Sequence, residues 1–246
     1  MQHRSKKIKK SFFIILVVLI VLSGGSAIYL GNYYHSVDVE KYMNGSSEVS
    51  VEKFDKGWFF DGAGEEKGLI FYPGAKVATE AYAPLMYQLA ESGIDCFLVD
   101  MPFHMAFFGM NRAEEIMQEY NYEAWYLGGH SLGGAMAANF AADYVEDHTD
   151  GIRGLLLLAA YPTKDLSTSD MSVVTVYGSE DGVLNMDKIV AGRELMPQDY
   201  KEVCIEGGNH AQFGSYGAQK GDGTAAIPAE EQWARTVEVF VGDESE

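Results

Sequence analysis

Six short apolar runs, spaced along the chain with helix-like segments between them, restrict what this sequence can fold into more than any other feature. They are Leu69–Tyr72, Cys96–Val99, Trp125–Gly128, Leu155–Leu158, Val173–Val176 and Val203–Ile205. An apolar run that does not alternate with polar residues is buried on both faces, as a strand is in a parallel sheet covered by helices. The segments at about 79–92, 111–120, 132–146, 185–195 and 228–241 read as those helices. Strand and helix in regular alternation predict an α/β fold, a mostly parallel twisted sheet with helices on both faces. Val49–Phe54 alternates instead, and Trp58–Phe60 follows it after the turn Asp55-Lys56-Gly57, so an antiparallel hairpin at a sheet edge is expected. No repeat or linker interrupts 49–246, which reads as a single domain.

Composition agrees. Of 246 residues 47% are hydrophobic and 13% aromatic, which excludes a disordered chain. A formal charge of −18 and a pI near 4.6 exclude a nucleic-acid binder, which needs a basic surface to displace counterions from phosphates. Two cysteines exclude a disulfide scaffold. Both Cys96 and Cys204 fall in apolar runs and are expected to be buried, inert thiols.

The charge is unevenly placed. Arg4, Lys6, Lys7, Lys9 and Lys10 precede the first acidic residue, Asp38, and beyond them 13 basic groups face 36 acidic ones. From Phe12 to Gly31 no residue is charged, and those twenty residues as a helix would reach about 30 Å, the thickness of a bilayer core. Residues 1–31 therefore read as a transmembrane signal anchor with a cytoplasmic amino end, or as a cleaved signal peptide with small residues Gly25 and Ala27 near the cut. A buried core helix is the third reading, and the flanking basic run speaks against it. Both leading readings send residues 32–246 out of the cytoplasm, either anchored at the cell membrane or secreted. Residues 32–48 are polar and read as a tether or an irregular entry to the domain.

In an open parallel sheet, ligands bind outside the carboxyl ends of the strands, so chemistry is expected just after the apolar runs. Gly129-His130-Ser131-Leu132-Gly133 stands between the run Trp125–Gly128 and the helix from Leu132, the setting of a nucleophile elbow. A helix-capping serine is the alternative. A serine hydroxyl needs a base to take its proton, and the base needs an acid to orient it. Asp181 follows the run Val173–Val176, with Glu180 as its rival, and His210 follows Val203–Ile205 in the turn Gly207-Gly208-Asn209-His210. His130 is expected to pack under the elbow, and His3, His35 and His148 to lie on the surface or tether. The developing oxyanion needs two N–H donors: Leu132, after the nucleophile, and Ala75, in Tyr72-Pro73-Gly74-Ala75-Lys76 after the first parallel run. Candidate substrate contacts are Lys76, His104 and Phe107 (the last two in the Met/Phe-rich stretch 101–110) and Tyr216 in the glycine-rich loop after His210. Calcium binding by Asp222 in that loop does not fit a known ligand spacing, and no metal site is expected.

These motifs, spread over about residues 49–242, make the chain resemble a serine hydrolase of the α/β-hydrolase superfamily, in the small lidless group near the dienelactone-hydrolase-like enzymes. The resemblance rests on Tyr72-Pro73-Gly74-Ala75, Gly129-His130-Ser131-Leu132-Gly133, Asp181-Gly182 and Asn209-His210, in the order Ser131, Asp181, His210. It implies cleavage of small-molecule carboxylic esters through an acyl-enzyme, without metal or organic cofactor. It also implies a strand order that keeps Cys96 and Cys204 apart. The chain departs from dienelactone hydrolases in carrying Ser131 where they carry cysteine, and from lipases in lacking a lid insertion. Acyl transfer, peptide hydrolysis on the same three residues, and a catalytically silent binding protein are the alternatives.

Overall fold

Apolar side chains on both faces of a strand demand cover on both sides, and the chain supplies it. The computed structural model describes residues 31–148 and 151–243. The described residues from Tyr34 onward form one compact unit. The expected membrane or signal helix in 1–31 lies almost wholly outside the described residues, among which no helix is long and apolar enough to cross a membrane.

The unit is built on an eight-stranded sheet: β1 (Ser50–Phe54), β2 (Gly57–Asp61), β3 (Lys67–Tyr72), β4 (Asp95–Val99), β5 (Ala124–His130), β6 (Ile152–Leu158), β7 (Ser172–Gly178) and β8 (Tyr200–Ile205). Their order is β1-β2-β4-β3-β5-β6-β7-β8. Strands β3 to β8 run parallel, and the hairpin β1–β2 adds antiparallel strands beside β4 at one edge. The helices are α1 (Glu40–Met43), α2 (Ala83–Glu91), α3 (Arg112–Glu119), α4 (Leu132–Asp147), α5 (Met186–Gly192) and α6 (Ala229–Asp243).

Side-chain alternation divides the core in two. On one face Leu69, Phe71, Cys96 and Leu98 pack under Leu85, Met86, Trp233 and Phe240 of α2 and α6. On the other, Ile70, Tyr72, Phe97 and Leu127 pack under Ile116 of α3 and Ala138 and Ala141 of α4. Phe97 anchors the second layer. Its ring lies 4.6 Å from Phe59 (stacked), 4.6 Å from Tyr120 and 5.6 Å from Trp125.

Of the two readings of residues 32–48, the docked entry describes 34–48: Tyr34 bridges Val77, and α1 carries Tyr42 onto Trp233 at 6.1 Å. One expectation is corrected. Cys204 is exposed, because β8 is an edge strand that the helices cover incompletely, whereas Cys96 in β4 is buried. Both thiols are free, as expected.

Truncating Phe97 to alanine removes the hub of the aromatic layer and is expected to cost about 3–5 kcal/mol. Urea unfolding followed by tryptophan fluorescence checks this.

Candidate active site

The strand–helix junction at Ser131 forces the backbone into a conformation that side chains avoid. Ser131 has φ 54° and ψ −122° between β5 and α4, a strained geometry that persists only where the surroundings dictate it. Its N–H donates to Leu158 O at 2.9 Å and its carbonyl accepts from Ala135 N–H at 3.1 Å. No side-chain cap bond ties the Ser131 hydroxyl to the helix, so the capping reading fails. The junction is possible because α4 begins against the end of β3: a Cβ on Gly133 would sit 2.1 Å from Tyr72 O and 2.4 Å from Pro73 O.

His210 and Asp181 meet as the sequence order anticipates. His210 Nδ1 lies 2.8 Å from Asp181 Oδ2, and both side chains are 2% exposed. Asp181 Oδ1 accepts from the N–H groups of Val183 (2.8 Å) and Leu184 (2.7 Å), which fix its rotamer. Glu180, the rival acid, points to solvent and accepts from Ser179 Oγ. The ring of His210 is 4.4 Å from that of His130, the residue before Ser131, so the pair stands at the elbow.

A residue that sequence reasoning weighed only as a calcium ligand joins the two loops. Asp222 Oδ1 accepts from Gly182 N–H (3.1 Å) in the acid's turn and from His210 N–H (3.2 Å) in the base's turn, and Oδ2 accepts from Ala211 N–H (2.8 Å). Both oxygens are thus occupied by backbone donors, the pattern of a structural clamp. Among the described residues no group of three or more acidic, histidine or cysteine side chains could hold a metal.

The turn after β3 is held in a comparable way. Gly74 N–H donates to Tyr82 Oη at 3.0 Å, and Tyr82 Oη lies 2.7 Å from His130 Nδ1. Tyr82 Oη thus stands between the Gly74 N–H and the His130 ring and ties the turn to the residue before Ser131. A Cβ at Gly74 would meet both Tyr82 Oη and His130 Nδ1, within 2.8 Å. Burial holds His130 well below the usual histidine range, and the neighbouring His210 pushes it further the same way; a contact with the His210 backbone offsets this only in part. In the turn, Lys76 N–H donates to His104 O (2.7 Å) and Val77 N–H to Gly74 O (3.4 Å). The Ala75 N–H is left without a partner among the described residues, as is the first-turn N–H of Leu132 at the start of α4.

The expected substrate contacts separate. Lys76 (φ 57°) and His104 (φ 55°) stand at the rim, joined through their backbones, and burial lowers the pKa of His104. Phe107 lies on the outer rim, about half exposed. Tyr216 turns inward: it is buried, packs on Tyr34 and Tyr82, and donates its hydroxyl to Gln219 Oε1 at 3.0 Å. Sequence reasoning missed Tyr82 altogether, since a tyrosine before a helix carries no motif.

The chain matches the model of the alpha/beta hydrolase family over residues 68–234 and belongs to that family. No curated protein matches it in sequence. Among solved structures it is similar to a Pyrobaculum calidifontis esterase (14% identity, 84% of this chain and 88% of that one, TM-score 0.60). It is also similar to carboxyl esterase 2 of Tuber melanosporum (13%, 85% and 89%, TM-score 0.59) and to Est1E of Butyrivibrio proteoclasticus (16%, 81% and 100%, TM-score 0.56). At these identities the likeness is one of fold.

Two outcomes follow from the geometry. Asp222→Ala frees both catalytic-side loops and is expected to lower kcat for a soluble ester about 10–100-fold with a smaller change in KM, read by steady-state kinetics. Burial holds the pKa of folded His130 well below that of an unfolded histidine, which takes a proton below pH ~6.5. Folding stability should therefore fall as pH drops through that value, by up to about 1.4 kcal/mol per pH unit for this one group. Thermal unfolding between about pH 8 and pH 5 should show a shallower fall for His130→Asn than for the wild type.

Proposed function

We propose that this α/β-hydrolase is a serine esterase in which Ser131, His210 and Asp181 act as the nucleophile, base and orienting acid. The observation that carries the reading is the buried 2.8 Å bond between His210 Nδ1 and Asp181 Oδ2, beside a strained Ser131 at the head of α4. An ionised carboxylate only accepts, so Nδ1 carries the proton and Nε2 is left with a lone pair for the serine hydroxyl.

Ser131 Oγ attacks the ester carbonyl as His210 Nε2 takes its proton. Charge moves onto the carbonyl oxygen, for which the N–H groups of Leu132 and Ala75, without partners among the described residues, are the proposed donors. The imidazolium, stabilised by Asp181, returns the proton to the departing alkoxide, leaving an acyl-serine and a free alcohol. Water then repeats the sequence, with His210 as base, and frees the carboxylic acid. Only residues 159–171 join β6 to β7. That short connection supports the small lidless, dienelactone-hydrolase-like grouping and leaves the acyl-enzyme open to water, which favours hydrolysis over transfer. The basic-then-apolar order of residues 1–31 supports placing the domain outside the cytoplasm, anchored or released.

A fluorophosphonate probe is expected to label the wild type at Ser131, with labelling abolished in Ser131→Ala and His210→Ala. Turnover of p-nitrophenyl acetate by Ser131→Ala should fall about 10³-fold or more while the variant stays folded. Labelling at another residue, or full turnover by Ser131→Ala, contradicts the reading.

A further inference from the structure

Three features that the chemistry does not need converge on the carboxyl edge of the sheet. The first is apolar exposure. Phe103, Phe107 and Phe108 are 57%, 48% and 53% exposed, in the segment after β4. They form a contiguous aromatic lip, with Phe107 and Phe108 4.2 Å apart and Phe103 and Phe108 5.6 Å apart. The other large exposed apolar side chains among the described residues share this end of the molecule. Val183, Met186 and Val190 follow β7, and Val37 is pinned to Ser215 in the loop after His210 by bonds of 2.8 and 2.6 Å. The opposite edge, where the strands begin, presents Glu65, Glu66, Ser92 and Glu123; after β7 Glu180, Asp187 and Lys188 are exposed beside Val183 and Met186, whereas the lip segment 101–110 carries no Asp, Glu, Lys or Arg.

The second feature is strain. Phe103 and His104 have φ 56° and 55° in succession, so the backbone holds the lip outward against its own preference. The third is where the chain enters. Tyr34 N–H donates to Lys76 O (2.7 Å), Ala78 N–H donates to Tyr34 O (2.8 Å), and Lys76 N–H donates to His104 O (2.7 Å). The polypeptide thus joins the domain beside the Ala75 turn, next to the lip. Between Tyr34 and Gly31, the last residue of the uncharged apolar stretch, lie two residues, and that interval can extend at most about 10 Å.

From this convergence we infer that the aromatic lip is a bilayer-contacting surface and that the esterase takes its acyl substrate from the lipid phase. The inference rests on the esterase reading above and on the anchor reading of residues 12–31. A bilayer fits better than a soluble partner, for two reasons. The exposed apolar side chains come from three separate stretches of chain, at 37, 103–108 and 183–190, and not from one continuous element face. The segment directly upstream also carries twenty uncharged residues behind a basic cluster. The acidic balance of the rest of the chain leaves apolar insertion, not attraction to anionic headgroups, to hold the rim at the surface.

The full chain reconstituted in phosphatidylcholine vesicles tests this. A tryptophan probe, Phe108→Trp, should gain blue-shifted emission, beyond that of the three native tryptophans, that phosphatidylcholine brominated on its acyl chains quenches. Glu91→Trp, at the end of α2 on the opposite edge, should show neither effect. In Phe103→Ser/Phe108→Ser, the ratio of p-nitrophenyl dodecanoate turnover in vesicles to p-nitrophenyl acetate turnover in solution should fall about tenfold. The inference is overturned if the added emission of Phe108→Trp is unquenched, if it shifts with protein concentration in detergent without vesicles (which marks a contact between copies), or if the ratio is unchanged. Loss of acetate turnover and fluorophosphonate labelling in the wild type sinks the esterase reading instead, while the quenching still reports on the lip.

Discussion

The bond between His210 and Asp181 is the interaction on which the site depends. A carboxylate and an imidazole, each only 2% exposed, lie on turns that follow two different strands, β7 and β8. Burying a carboxylate is costly unless its oxygens are satisfied. Here Oδ1 has two backbone donors and Oδ2 has the imidazole. The two turns hold together because Asp222, from the following loop, accepts from backbone groups of both. One carboxylate bonds the imidazole, and a second, through backbone donors alone, holds together the two turns that carry the pair.

The same economy appears on the nucleophile's side. Tyr82 links Gly74, in the turn after β3, to His130, the residue before Ser131, through a single oxygen. That link ties the turn beside Ala75 to a fully buried ring whose pKa burial holds well below the usual histidine range. Five of the six left-handed non-glycine residues among the described residues gather at this end too: Lys76, Phe103, His104, Ser131 and Ala159 follow strand carboxyl ends, and Asp38 lies in the entry segment. The stiff core of Phe97, Leu127 and Leu155 beneath them supplies the rigidity that such strain requires.

Much of this was legible in the sequence because it rests on local pattern. Continuous apolar runs became β3 to β7, the alternating hairpin became β1 and β2 at an edge, and the helical segments formed within a few residues of their expected bounds. The meeting of Asp181 with His210, and the place of Ser131 at a strand–helix junction, were legible because each follows a run, and topology then brings run ends to one edge. What was not legible depends on contacts between distant residues. Nothing near Tyr82 announces a bond to a histidine 48 positions later, and Asp222 reads as one more acidic residue in a glycine-rich loop. The docking of residues 34–48 rests on Tyr34 meeting Val77, which polar composition hides. Cys204 was misread because an apolar run at a sheet edge resembles one at its centre, and only strand order separates them.

The central claim is that three side chains and two backbone amides converge on one reacting atom. A crystal structure of the fluorophosphonate adduct measures this directly. The account predicts phosphorus bonded to Ser131 Oγ, one phosphoryl oxygen between the N–H groups of Leu132 and Ala75, and His210 Nε2 within hydrogen-bonding reach of the adduct with its Asp181 bond intact. Phosphorus on another residue, or an adduct whose oxygen faces away from both amides with His210 turned aside, contradicts it.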